Sequence, residues 1–338
     1  MAATGMPLEV LLGHLEDLAN RSLGLWDVPP GARARLVNVS ENATYLVEAA
    51  GGFRSVLRVH REAYHSRRAI ECELAWIAAL DAAGTVPVSG VHPGRDGEAI
   101  QEARHPALAK PRFMVMFRFV PGSAPNPDDD LVEPFRNLGG IAARMHRHAI
   151  AWRRPEPFER LTWDVDAVFG PRPTWGDWRD GPGVTPAIRA VLEDCEAMLR
   201  ARLEAYGKGP DRYGLIHADM RLANLLVGEA GTWLIDFDDC GMGWFLYDFA
   251  AGVSFMEDHP QVPALKQAWL AGYRRVRPLA AADEAEIDTF VMLRRMALLA
   301  WIGSHIEAPE PQAMAPTFAP VTAQLARAWM ARLRKATA

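Results

Sequence analysis

Between Leu215 and Asp239 the chain reads LIHADMRLANLLVGEAGTWLIDFDD, and its polar residues stand at spacings that chemistry can use. His217, Asp219 and Asn224 form the pattern H-x-D-x-x-x-x-N, and Asp236 follows in Ile-Asp-Phe. Tyr213, Leu215 and Ile216 lead in, Leu225-Leu226 follow Asn224, and Trp233-Leu234-Ile235 run up to Asp236. Two short buried strands would therefore present Asp219, Asn224 and Asp236 at neighbouring ends. Phosphoryl transfer from ATP needs a carboxylate that orients an acceptor hydroxyl and takes its proton. It also needs oxygen donors that hold a divalent cation on the phosphates. Magnesium takes a few hard oxygen ligands and keeps several waters, so one Asp and one Asn are sufficient. Asp219 is the expected base, and Asn224 and Asp236 are the expected Mg²⁺ ligands. Singly, each reads equally well as a cap or turn residue; the ordered set between apolar strands gives the pattern its weight. His217 reads as a structural residue bonded to the catalytic loop, because no second His or Cys stands at zinc-ligand spacing.

The elements that must position these residues are legible from periodicity. An amphipathic helix is predicted over 7–22, from Leu8, Leu11, Leu12, Leu15 and Leu18. Strand-like runs follow at 33–39, 43–49 and 53–60, the last two joined by Ala50-Gly51-Gly52. A helix over about 66–82 ends before Gly84, and two or three strands are expected in 86–119. Pro121-Gly122 and SAPNPDDD read as a linker. Beyond it, helices are predicted over 131–149, 186–205, 260–276, 284–305 and 318–334, with short strands near 214–216, 224–227 and 232–236. The chain thus reads as an α+β protein of two domains. Residues 1–120 form a nucleotide-binding lobe with an antiparallel sheet and one main helix, and 121–338 form a mostly helical catalytic and acceptor-binding lobe. The stretch 151–185 lacks periodicity and holds Trp152, Trp163, Trp175 and Trp178, as a functional loop or an insertion would.

The sequence resembles the aminoglycoside phosphotransferase and choline kinase-like family. The resemblance rests on HADMRLANLLV at 217–227, LIDFDDCGMG at 234–243 and YDFA at 247–250. It extends more loosely to VLRVHR at 56–61 and FMVMFRFVPG at 113–122. It implies a bilobal protein-kinase-like fold with an ATP site between the lobes. It also implies a cation on the third strand that holds the α- and β-phosphates. No lysine precedes Lys110, and Arg58 stands at that place; arginine's charged fork can grip phosphate equally well. Its partner should be a glutamate on the next helix. Glu71 and Glu73 both qualify, and Glu73 shares the apolar face of Ile70, Trp76, Ile77 and Leu80, where a carboxylate needs a partner. No G-x-G-x-x-G covers the phosphates. The equivalent turn offers Ser40, Asn42 and backbone N–H groups, although small polar residues are also ordinary turn formers. Adenine is expected against Met116, Phe117 and Phe119. Asp238 and Asp239 could touch magnesium, a cationic acceptor or neither. Asp248 is expected to support the catalytic loop or to cap a helix.

The bulk properties exclude several classes. The 338 residues carry a formal charge of −5, without the basic footprint of a nucleic-acid binder. The three cysteines form no disulfide framework and no metal spacing, so a cytoplasmic protein is expected. The most apolar late segment is interrupted by Arg294 and Arg295, which argues against a membrane span. A two-metal hydrolase would need further His and Asp clusters that the sequence lacks. Asp219, Asn224 and Asp236 together argue against a binding module without turnover. After Asp236 the chain enters a helix almost at once, leaving little platform for a peptide. The expected acceptor is therefore a hydroxyl on a small molecule, with an amine-bearing alcohol suited to Asp238, Asp239 and the tryptophans.

Overall fold

The computed structural model describes residues 6–84, 86–229 and 231–337. The chain divides into two compact units. The first is Met1–Pro121 together with Arg154–Glu159, and the second is Gly122–Arg153 together with Arg160–Ala338.

The first unit opens with α1 (Leu8–Ser22), followed by β1 (Arg33–Val39), β2 (Ala43–Glu48) and β3 (Arg54–Val59). Next come α2 (Arg67–Ala83), β4 (Val91–His92), β5 (Gln101–Ala103) and β6 (Arg112–Arg118). The strands form one antiparallel sheet in the order β1-β2-β3-β6-β4, with β5 also on β6. Strand alternation sorts the residues onto two faces. Tyr45, Val47, Leu57, Met114 and Met116 pack with Leu11, Leu15 and Leu18 of α1 in one core. Arg58 and its cross-strand neighbour Val115 belong to the opposite face. Helix α2 starts where the Ser66 hydroxyl accepts from the Ala69 N–H and stops at Gly84 in the left-handed conformation. Residues 154–159 return to this unit: Pro157 O accepts from Arg68 Nε at 2.8 Å, and the Ser66 hydroxyl donates to Glu159.

The second unit begins with α3 (Val132–Ala151), β7 (Leu161–Trp163), α4 (Val165–Phe169) and α5 (Pro186–Tyr206). The short strands β8 (Tyr213–Ile216), β9 (Leu225–Gly228), β10 (Gly231–Leu234) and β11 (Gly241–Trp244) follow. Helices α6 (Tyr247–Gly252), α7 (Val262–Arg274), α8 (Ala281–Glu284), α9 (Ile287–Ser304) and α10 (Pro309–Thr337) complete it. Strands β9 and β10 pair as a hairpin, and β7-β11-β8 form a three-stranded sheet. Two helices differ from expectation. The helix expected over 284–305 is α9, which starts three residues later, and the short α8 precedes it. Helix α10 begins nine residues before the expected 318 and runs through Pro316 and Pro320. Strand β7 and helix α4 also lie within the stretch expected to be irregular.

Helices α3 and α7 cross where both lack side chains. A Cβ on Gly139 would come within 2.0 Å of Trp269 O, and one on Gly272 within 1.9 Å of Arg136 O. Cys72, Cys195 and Cys240 are buried and in no disulfide. Among the described residues no helix is long and apolar enough to cross a membrane.

Candidate active site

The segment from His217 to Asp236 lies wholly within the second unit, where β8 delivers His217 and the β9–β10 hairpin stands between Asn224 and Asp236. Ala218 has φ +66° and Asp236 φ +62°, both in the left-handed region that costs non-glycine residues about 1–3 kcal/mol. The strain at Ala218 is opposed by Asp248. The Asp248 Oδ1 accepts from the Ala218 N–H at 2.7 Å, and its Oδ2 accepts from the His217 N–H at 3.3 Å. Behind it stands His146, whose Nε2 lies 2.8 Å from Asp248 Oδ2 and whose Nδ1 lies 3.0 Å from the Tyr273 hydroxyl. Arg277 Nη1 donates to that hydroxyl, so the chain of bonds assigns the proton to His146 Nε2. Burial holds the His146 pKa below the ordinary histidine value, against the opposing pull of Asp248.

His217 ties two segments together. Its Nδ1 accepts from the Asp219 N–H at 3.2 Å, so its Nε2 carries the proton donated to Ile235 O at 3.2 Å. The residue beside Asp236 is thereby fastened to the loop that carries Asp219. Asn224 donates through Nδ2 to both Asp219 O, at 2.9 Å, and Asp219 Oδ2, at 2.6 Å. Its amide oxygen is the atom left to face a cation. Together with the Asp236 carboxylate it would offer hard-oxygen donors of the kind a magnesium-class ion takes. On the other side, Trp163 Nε1 donates to Asp239 O at 2.7 Å and Arg160 Nε donates to Cys240 O at 2.8 Å. These bonds hold the backbone after Asp236; Asp238 itself is buried.

Two arginines not expected at the site stand against Asp219. Arg294 Nη2 donates to Asp219 Oδ1 at 2.7 Å, and Arg221 Nε lies 3.6 Å from Oδ2 while its Nη1 donates to Glu310. Burial disfavours the Arg294 charge, but Tyr247 and Asp219 outweigh it and raise its pKa. The Arg294 carbon Cζ lies 5.1 Å from the Trp175 ring centre and 5.7 Å from that of Tyr247. Trp175, one of the tryptophans expected to meet an acceptor amine, thus already carries a resident cation. His146 and Tyr273 stand 127 residues apart and Arg294 stands 75 from Asp219, with no local pattern to mark them, whereas Arg221 lies inside the motif itself.

In the first unit, Arg58 Nη2 donates to Glu73 Oε1. Both residues are buried, and the Arg58 guanidinium lies 4.8 Å from the Phe117 ring centre. Met116 departs from its expected place. Strand alternation turns its side chain into the core shared with α1, on the face opposite Arg58. Asn42 is also engaged otherwise than expected. Its Oδ1 accepts from the Arg61 N–H at 3.0 Å, and Glu41 pairs with the Arg61 side chain, so the Ser40–Asn42 turn is closed onto the end of β3. The Phe119 ring lies under the Arg54 guanidinium at 3.7 Å.

The sequence profile of the phosphotransferase enzyme family matches residues 34–279. The chain belongs to that family. This phosphotransferase is similar to the solved structure of a microcompartment-associated aminopropanol kinase, with 44% identity and a TM-score of 0.85 over 93% of this chain and 97% of that one. It is 30% identical to an uncharacterized protein of Deinococcus radiodurans over 73% of this chain and 70% of the relative. It is 24% identical to the amicoumacin kinase of Bacillus subtilis over 66% of each. The α+β fold is protein-kinase-like, and the phosphotransferase is an ATP-dependent kinase of small-molecule hydroxyls.

Proposed function

We propose that this phosphotransferase phosphorylates a small amino alcohol, with magnesium as its working cation. The observation that carries the acceptor class is the 44% identity, over nearly the whole of both chains, to an aminopropanol kinase. The short path from Asp236 to α6 supports it, because ten residues leave no extended segment on which a peptide could lie.

In this reading the acceptor hydroxyl donates its proton to Asp219 while its oxygen bonds to the γ-phosphorus and the bond to the ADP oxygen breaks. A divalent cation, when bound, neutralises charge on the phosphates. Asn224 and Asp236 would hold it, and the bonds from Asn224 to Asp219 keep the base and the ligand in one fixed relation. His217 and Asp248 keep the loop backbone in its strained form. In the first unit, Arg58, steadied by Glu73, would meet phosphate oxygens. Ser40 and the backbone of its turn would cover phosphate, and Phe117 and Phe119 would flank the base.

Purified protein with Mg²⁺ and ATP should release ADP in the presence of aminopropanol or ethanolamine faster than with choline, homoserine, sugars or aminoglycosides. Asp219→Asn should lower kcat by about 10²–10⁴-fold, the usual weight of a general base, while ATP binding persists. Preference for a neutral or anionic alcohol would sink the amino-alcohol assignment. Full turnover by Asp219→Asn would sink the assignment of the base.

A further inference from the structure

Arg294 brings a charge into the interior at a position where the transfer chemistry described above has no use for one. It is 2% exposed, and burying an unpaired guanidinium is costly. A site built only for stability would be served as well by an apolar side chain of similar volume.

Its surroundings fix it from several elements. It projects from α9. Its Nε donates to the Ser254 hydroxyl at 3.1 Å, just beyond α6, and its Nη2 donates to Asp219 Oδ1 at 2.7 Å. The rings of Trp175 and Tyr247 flank the guanidinium. A group held at so many points is rigid, and whatever it holds is rigid too. The other oxygen of Asp219, Oδ2, accepts from Asn224 at 2.6 Å. Each oxygen of the carboxylate is therefore gripped by a donor from a different part of the chain, so the group cannot turn about its Cβ–Cγ bond. The lone-pair directions that remain are fixed in space, and the acceptor's O–H must meet one of them. Arg221 is the weaker holder, because its Nε stands 3.6 Å from Oδ2, beyond hydrogen-bond distance, and its Nη1 donates to Glu310.

We propose that Arg294 is a positioning residue of the transfer reaction, holding the Asp219 carboxylate in the orientation that receives the acceptor's proton. The proposal rests on Asp219 being the base. It predicts that Arg294 acts on the rate of the chemical step and not on nucleotide binding.

The test compares wild type, Arg294→Met, Arg294→Lys and Asp219→Asn with two readouts: transfer to aminopropanol, and the slow hydrolysis of ATP with water as acceptor. Thermal midpoints are recorded for each, and rates are taken well below them. Arg294→Met should lower kcat by about 10²-fold, the scale of a misplaced catalytic group, with the KM for ATP changed less than about threefold. Arg294→Lys keeps the charge but not the fork, and should recover part of the loss. Added guanidinium ion should partly restore Arg294→Met and leave Asp219→Asn unchanged. Wild-type kcat in Arg294→Met beside an inactive Asp219→Asn would overturn the role of Arg294 alone. Should Arg294→Met not fold, an unaltered kcat in Arg294→Lys overturns it instead. Activity in Asp219→Asn would overturn the base assignment and the proposal together. If aminopropanol is not phosphorylated yet hydrolysis follows the same order, the acceptor class fails and the role of Arg294 stands.

Discussion

Two polar pairings do different work at the scale of single residues. The Asp219–Asn224 contact joins the proposed base to a proposed metal ligand, and both residues stand out in the sequence because their spacing within one short segment is the one that phosphoryl transfer would use. The Arg58–Glu73 pair joins a strand to a helix inside the first unit. Its members were legible because a carboxylate on an apolar helix face demands a cation. Arg58 is 4% exposed and Glu73 fully buried, so truncating one side of the pair leaves the other in a site built for two charges. Glu73→Ala should cost about 3–5 kcal/mol of stability, the range for breaking a buried pair. Denaturant unfolding would measure it, and the KM for ATP should rise in the same variant. A loss below about 1 kcal/mol, the weight of a surface pair, would show that the pair is not the structural joint described. Arg294 and His146 escaped sequence reading for a plain reason: a residue that acts on a partner dozens of positions away leaves no mark in its own neighbourhood.

At the scale of elements, legibility followed the strength of the local pattern. Strands β1 to β3 and helices α1, α2, α3 and α5 have clear alternation or helical spacing, and their observed ends lie within two residues of expectation. Strand β11 did not announce itself, because Gly-Met-Gly-Trp has no strand-like composition. The glycines are there for closeness: a Cβ on Gly241 would stand 2.3 Å from Leu161 O on the neighbouring strand. Helix α10 begins earlier than expected: Pro316 argues for a break ahead of residue 318, yet the helix runs through it. The α3–α7 crossing gives this scale its prediction. Gly139→Ala or Gly272→Ala forces backbone against backbone, where no side chain can swing away. Each should cost at least ~2 kcal/mol, near or above the middle of the range for overpacking, and lower the melting temperature accordingly. A neutral result would mean that the two helices are free to separate.

At the scale of the whole molecule, buried polar groups make stability depend on pH. His146 is wholly buried, and its pKa lies below 6.5 in the folded protein. The unfolded chain takes up a proton at about 6.5, whereas the folded chain resists it. Unfolding therefore binds a proton in the window just below 6.5, and stability falls as pH is lowered through it. His146→Gln should flatten this part of the curve, which melting temperatures of the two proteins between pH 7.5 and 5 would reveal. Equal slopes would mean that His146 does not supply the titration.

The return of residues 154–159 to the first unit has a bearing on heredity. A gene cut after codon 121 would yield a sheet and helix missing the hexapeptide that receives the Arg68 guanidinium and meets the Ser66 hydroxyl. Recombination at the apparent linker would strand that hexapeptide in the wrong descendant, so the two units pass between generations most safely as one inseparable reading frame.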